Sequence, residues 1–327
     1  MASLCYIAVD LGGTQIRTAR FSAAQEMEER VAVETHAEEG LEAVFSRIVS
    51  TVHDVWPTPD QGKVAAVALG APGPLNFRTG ILRFAPNLPG WANVPLRKML
   101  QETLGVPAFV GNDADVAALA EHRFGAGRGV ESMIYMTIST GIGGGMIFNN
   151  RLFTGGQGLG GEVGHVGVDP AGPRHTCGNI GCLEVMASGT AIARNARERI
   201  EAGEPSALVE MVNGDLSAIT AKEVSLAGQA GDPLAVSVFR EAGTYIGSML
   251  VSLMYILNPM LFVLGGSVTL AGDLLFDPIR ETVADRAPQA YLEQTRIVRA
   301  QLGGDVGLWG ALALALMELD GGQSTVG

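Results

Sequence analysis

CYIAVDLGGTQIRTARFS, residues 5–22, decides the fold. An apolar run ends at Asp10, turns through Gly12-Gly13 and returns as a second apolar run, which predicts a hairpin at the start of the chain. The arrangement recurs in SMIYMTISTGIGGGMIFNNRLFTGG, residues 132–156, read as a strand, a glycine turn, a strand and an Asn-Asn turn. After the first hairpin, LEAVFSRIVSTVHDV (41–55) has helical apolar spacing. VAAVALGAPG (64–73) and AFVGND (108–113) read as strands, and DADVAALAEHRFG (113–125) as a helix that stops at a glycine. After the second hairpin, helical patterns cover about 186–201, 220–230 and 232–257, with strands at 260–268 and 296–302 and a last helix at 307–319. Two α/β lobes around a cleft are expected. Residues 1–115 form the small N-terminal lobe, joined by the terminal helix 307–320, and residues 116–306 form the larger one.

The totals narrow the function. The 327 residues are 47 % hydrophobic, 17 % charged and 6 % aromatic, the profile of a well-cored chain long enough for two lobes. The net charge is −12, a poor surface for nucleic acid, and no nucleic-acid partner is expected. Lysine occurs only at Lys63, Lys98 and Lys222, and none of them closes a G-x-x-x-x-G-K-[ST] string, so a Walker phosphate loop is excluded. Three cysteines do not make a disulfide framework, and Cys5 reads as a buried strand residue. MASLCYIAVDLGG lacks the features of a secretory signal. The most apolar stretch, IGSMLVSLMYIL (246–257), is shorter than the roughly 20 residues a bilayer needs, so no membrane partner and a cytoplasmic location are expected.

The glycine turns carry the first chemistry. Asp10-Leu-Gly12-Gly13-Thr14 stands where a strand bends into its hairpin, and glycine there leaves backbone N–H groups open to a phosphate. Asp10 at the strand end suits a hydrated Mg²⁺, which prefers a carboxylate and waters. An ordinary glycine hairpin is the competing reading. Ser139-Thr140-Gly141-Ile142-Gly143-Gly144-Gly145 repeats the pattern, and Leu264-Gly265-Gly266-Ser267 puts glycines after a buried strand, a floor for a nucleotide base or ribose. Three such turns without a Walker lysine point to an ATP site of the sugar kinase and actin type.

Asn112-Asp113 ends a strand at the lobe boundary. An aspartate there suits a base that accepts the proton of a substrate hydroxyl attacking a γ-phosphoryl group, and it equally suits a cap for the following helix. Asn87, in FAPNLPGW, is either a sugar-contacting side chain or a turn residue. GEVGHVGVDPAGPRHTCGNIGCLE (161–184) gathers two histidines, two cysteines and two glutamates, and reads as a metal site, a catalytic site or a polar loop.

In this order AVDLGGTQIR, GAPGPLN, APNLPGW, GNDADVAALAE, STGIGGG, GGEVGH, CGNIGCLE and FVLGGSV resemble the ROK family of repressors, open reading frames and sugar kinases, over nearly the whole chain. The resemblance implies a ribonuclease-H-like, actin-like pair of lobes. It implies Asp113 as catalytic base, and Asn87, Asn112, Glu162, His165 and Glu184 as sugar contacts. Gly12, Gly13, Thr14, Thr140 and Gly141 match the phosphate turns, and Gly265 and Gly266 the adenosine side. Two departures stand out: Gly111 replaces the usual Glu before Asn-Asp, and His175 stands where the family's metal box usually opens with a cysteine. Zn²⁺ accepts imidazole as well as thiolate, so the implied set becomes His165, His175, Cys177 and Cys182. Two inert thiols or a disulfide are the alternatives.

The implied activity is ATP-dependent phosphorylation of a hexose, glucose first, with Mg²⁺ as a cofactor and a structural zinc. Kinases for N-acetylmannosamine, fructose or allose share these motifs, and polyphosphate is a competing donor. A sugar-sensing repressor of the family would carry a DNA-binding domain ahead of Asp10. A homo-oligomer, dimer or tetramer, is implied as well.

Overall fold

The computed structural model describes residues 3–85 and 87–321. β1 (Leu4–Leu11) and β2 (Gln15–Ser22) form the opening hairpin, with Asp10 opposite Arg17. β3 (Met27–Glu34) pairs antiparallel with β2. After α1 (Leu41–Asp54), β4 (Lys63–Ala71) enters parallel to β1. A small antiparallel sheet of β5 (Leu75–Asn76), β6 (Ile81–Phe84) and β7 (Ala92–Val94) comes next. α2 (Leu96–Leu104) leads into β8 (Ala108–Asn112), which lies parallel to β4 and completes the order β3-β2-β1-β4-β8.

α3 (Asp113–Phe124) starts where β8 stops. β9 (Met133–Ile138) and β10 (Ile142–Phe148) form the second hairpin, and β11 (Arg151–Leu152) pairs with the end of β10. The chain then winds through α4 (Leu183–Ala187), α5 (Gly189–Glu201), α6 (Leu208–Met211), α7 (Ala221–Gln229) and α8 (Pro233–Leu257). β12 (Leu261–Gly265) runs parallel to β9; then come α9 (Asp273–Arg286) and α10 (Gln289–Leu292). β13 (Arg296–Arg299) closes the second sheet in the order β11-β10-β9-β12-β13, and α11 (Val306–Gly321) ends the described chain.

The central parallel strands β4 and β12 are almost wholly apolar because both faces of the sheet are covered, whereas the edge strand β13 carries Arg296 and Arg299 exposed at its ends. β12, LFVLG, is buried at every position. The stretch 246–257 lies in α8, where Ile246, Met249, Leu250 and Met254 are buried in the larger core. That helix starts on Asp232, whose carboxylate accepts from the Ala235 amide (2.9 Å), has Pro233 in its first turn, and stops at Asn258 in the left-handed conformation. Among the described residues no helix is long and apolar enough to cross a membrane.

α3 and α11 fill the space between the two sheets. Their residues Val116, Leu119, Leu308 and Leu312 share one core with Ala8, Ala66 and Ala68 of the first sheet and Met133, Tyr135 and Val263 of the second. Alanine on the first sheet lets the helices approach closely. Glu121 of α3, fully buried, accepts from the amides of Gln301 and Leu302 at Oε1 (2.8 and 2.9 Å) and of Ala126 at Oε2 (2.8 Å). Those amides belong to the two stretches that lead into β9 and out of β13, so one carboxylate holds both crossings of the chain.

The structure adds elements that the sequence pattern did not reveal: β3, α2, the three-stranded sheet and α9. β3 has a mostly charged, half-exposed face, which suits a sheet edge and hides its apolar alternation. The pattern expected as a helix over 186–201 breaks at Ser188, whose hydroxyl caps α5 by accepting from the Ala191 amide (3.2 Å). The strand expected over 260–268 ends at Gly265, and Ser267–Ala271 winds into a 3₁₀ turn.

Candidate active site

A cleft cavity of about 520 Å³ opens between the sheets, lined by Asp10, Arg17, Asp113, Ser139, Gly265 and Gly266 among others. The two hairpins end there, as the C-terminal ends of sheet strands commonly hold ligands in α/β folds. Among the described residues Arg17 is the single cationic side chain on its lining, 3.7 Å from Asp10 and bonded to the Gly304 carbonyl. Sequence reading passed over it, although its place opposite Asp10 is set by the hairpin register.

Asp113 sits at the cleft floor, reachable by water on one side and crowded by protein on the others. That crowding pushes its carboxyl up to about 6, the Ala114 amide works against the rise, and the charges of Asp10 and Glu162 add to it. Asp10 is raised by burial, with Arg17 opposing. Glu162 is likewise raised by burial, with His165 opposing and Glu184 adding. Asp115, one residue past Ala114, is held well above the ordinary carboxylate range by burial and by Glu162 and Asp113.

The helix cap falls to Asn112 and leaves Asp113 free for other work. Asn112 Oδ1 accepts from the amides of Ala114 (2.9 Å) and Asp115 (3.3 Å), and its Nδ2 donates to the Gly73 carbonyl (3.0 Å). At its own helix start the Asp113 carboxylate accepts from the Ala114 amide (2.8 Å). Asn87 is exposed and lies against Gly13, where a Cβ on the glycine would meet Asn87 Cβ at 3.0 Å. A side chain at Gly13 would press on the Asn87 loop and push it aside by a few tenths of an ångström.

Thr140 lies on an adjoining cavity of about 390 Å³ with Ser139, Thr190, Arg197, Lys222 and Ser267. At the second turn, a Cβ on Gly141 would meet Glu184 Oε2 at 2.3 Å, so glycine makes room for that carboxylate. Glu184 Oε2 accepts from the Ile142 amide (2.7 Å), and Oε1 lies 3.3 Å from His175 Nε2. Each oxygen keeps a further lone pair for a sugar hydroxyl.

The box folds as a small knuckle. Bridges pair Gly167 with Cys182 and Arg174 with Ile180, and the Asn179 side chain donates to the His165 carbonyl (2.8 Å). The ligand atoms of His165, His175, Cys177 and Cys182 all lie within 4.8 Å of one another. The two imidazoles stack at 5.6 Å, and both Nδ1 atoms are buried without a hydrogen-bond partner among the described residues. Buried orphan nitrogens facing two thiols fit a four-ligand metal site, with His175 Nε2 free to donate to Glu184. All three cysteines are free, so the disulfide alternative is not what the structure holds.

A model of the ROK family matches residues 6–318, and the chain belongs to that family. A glucokinase from Thermotoga maritima is 36 % identical over 321 residues, covering 98 % of this chain and 100 % of that protein. The crystal structure of a ROK hexokinase from Thermus thermophilus matches with a TM-score of 0.82 at 37 % identity, covering 97 % of this chain and 100 % of that one. A ROK family glucokinase from Streptomyces griseus, solved in complex with glucose and AMPPNP, matches with a TM-score of 0.80 at 35 % identity, over 95 % and 98 % of the two chains. The two lobes are the actin-like ATPase fold of the ROK sugar kinases.

Proposed function

We propose that the chain is an ATP-dependent glucokinase that transfers the γ-phosphoryl group of ATP to the terminal hydroxyl of glucose. The observation that carries this is Asp113, a carboxylate with no side-chain hydrogen-bond partner among the described residues, on the lining of the cleft that also holds Asp10 and Ser139 of the two glycine turns. Likeness to the Thermotoga maritima and Streptomyces griseus glucokinases supports glucose as the sugar.

Asp113 accepts the hydroxyl proton as the sugar oxygen attacks, and a base with its pKa near 6 is ionised at neutral pH yet still basic enough to serve. Asn87, Asn112, Glu162, His165 and Glu184 hold the sugar. The backbone N–H groups at Gly13, Thr14, Thr140 and Gly141 hold the phosphates, Gly12 shapes the first turn with its own amide bonded to the Gln15 carbonyl (2.9 Å), and Gly265 and Gly266 floor the adenosine side. Bound Mg²⁺ offsets phosphate charge, and Asp10 is the carboxylate placed to hold it. His165, His175, Cys177 and Cys182 would hold a structural zinc, which supplies a closed clamp behind the sugar contacts. Residues 1–115 with the terminal helix act as one lobe against 116–306, in a cytoplasmic homo-oligomer. The exposed apolar residues Tyr255, Ile256 and Met260 around the end of α8 are a surface that association would cover.

A coupled assay over hexoses and N-acetylhexosamines, with ATP and with polyphosphate, tests the reading. Glucose with ATP should give the highest kcat/KM. No turnover on any sugar refutes the kinase; preference for N-acetylmannosamine, fructose or allose refutes only the choice of glucose.

A further inference from the structure

We infer that the metal box is also the brace of the nucleotide site, with Glu184 as the positioning residue that links the two. This inference rests on the proposal that the box binds a metal. Sugar contact accounts for the placement of Glu184, Glu162 and His165, but it leaves the bonds made by the chain beyond Glu184 without a purpose.

The segment from Cys182 to Thr190 closes onto the second glycine turn through Glu184, Gly189 and Thr190. The Ile142 amide donates to Glu184 Oε2 (2.7 Å), and the Gly189 amide donates to the Ser139 carbonyl (2.7 Å). Thr190 donates to the Thr140 carbonyl twice, from its amide (3.3 Å) and from its hydroxyl (2.8 Å). Inside the turn itself the Ser139 amide donates to the Gly141 carbonyl (2.9 Å). The four bonds from the segment therefore fix the path of Ser139–Ile142, and with it the direction of the N–H groups offered to a phosphate.

The other end of the brace is the box. Cys182 is buried at the root of α4, and Glu184 Oε1 faces His175 Nε2 at 3.3 Å. His175 belongs to the four-ligand cluster, and its buried Nδ1 has no hydrogen-bond partner among the described residues. A ligand bound there leaves the proton on Nε2, which makes His175 a donor to Glu184. Glu184 is then held by an imidazole on one oxygen and by the turn on the other. Two acceptor oxygens are needed at once, which only a carboxylate supplies. In Glu184→Gln the amide group must turn its NH₂ toward one of two donors, so one of the links is lost in either orientation.

The nucleotide site should therefore weaken when the box is emptied. The test is the dissociation constant of Mg-AMPPNP for the full chain, measured by calorimetry without sugar. Four samples are compared: the zinc-loaded chain, the same chain stripped with a chelator, zinc-saturated Glu184→Gln, and stripped Glu184→Gln. Elemental analysis of each comes first, so failure of the box to hold zinc is read before any nucleotide is added. Stripping should weaken nucleotide binding at least fivefold, and Glu184→Gln should do the same with its zinc in place. Stripping the variant should then add less than twofold, because the link is already broken. Thr190→Val, which leaves the box intact, should weaken nucleotide binding and leave zinc content unchanged. Unchanged nucleotide affinity on stripping, or in zinc-loaded Glu184→Gln, overturns the inference, as does full additivity of the two changes. A general loss of folding would instead lower the melting temperature without the non-additive pattern.

Discussion

The two glycine turns look alike in sequence and are supported in different ways. The first is held by its near neighbours. The Gly12 amide donates to the Gln15 carbonyl (2.9 Å), the buried Thr35 hydroxyl donates to the Gly12 carbonyl (2.7 Å), and the Thr35 amide donates to the Thr14 carbonyl (2.8 Å). The second is held by residues 184–190, beyond the whole metal box, and by the Ser267 amide, which donates to Ser139 Oγ (3.1 Å). A turn supported by its own hairpin and by the end of the next strand, β3, is complete once those three neighbouring strands pair. A turn supported from a distance answers to whatever stabilises that distant segment.

Asp113 stands between the turns, so its loss should exceed any loosening of either. Asp113→Asn should lower kcat by about 10²–10⁴-fold while sugar binding is largely kept, as stopped turnover with retained calorimetric binding would check. In the proposed mechanism the same group sets the acid limb of the pH profile. The active form is the ionised carboxylate, present above the folded pKa of about 6 and lost as pH falls through it, so kcat/KM should fall about tenfold per unit below that point. A flat profile between pH 5 and 7 would remove Asp113 from its role.

Glu121 tests whether the two turns are held at a fixed distance by the lobe crossings. Glu121→Ala leaves three backbone amides without their acceptor and should cost about 3 kcal/mol of stability, measured by denaturant unfolding. A cost under ~1 kcal/mol would mean that the crossings are held by packing alone. The smallest effect is expected at the first turn. Thr35→Val removes one buried hydroxyl donor and should cost about 1 kcal/mol, with no change in bound zinc. If it altered zinc content, the separation between the two turns would be wrong.

Much of this was legible along the chain. Strands of unbroken apolar residues, such as LFVLG at β12, and helices with capped ends, such as α8, announce themselves because burial on all sides selects only apolar side chains. The glycine turns, Asp10 and Asp113 could be named because their residue types are chemically distinctive, whereas the sugar contacts Glu162, His165 and Glu184 and the four-residue metal set came from the resemblance to the ROK family. β3 was not legible, since a sheet edge is permitted charges that mask its period. Arg17, Asp115, Glu121 and Thr190 were missed for a related reason. Each has an ordinary residue type in an ordinary pattern, and its importance lies in a partner that is distant in sequence or in the lack of one.

The sequence by itself determined that the chain has two α/β halves, glycine turns fit for phosphate, no Walker loop, a candidate base and a box of four metal-competent side chains. Those are statements about residue type and local periodicity, which short-range physics fixes. Tertiary structure alone decided that Asn112, and not Asp113, caps α3. It also decided that α3 and α11 share one core between the sheets, and that Glu184 spans the gap from the box to the second turn. Each of these depends on which groups compete for the same donor or the same space, and that competition exists only once the chain is folded.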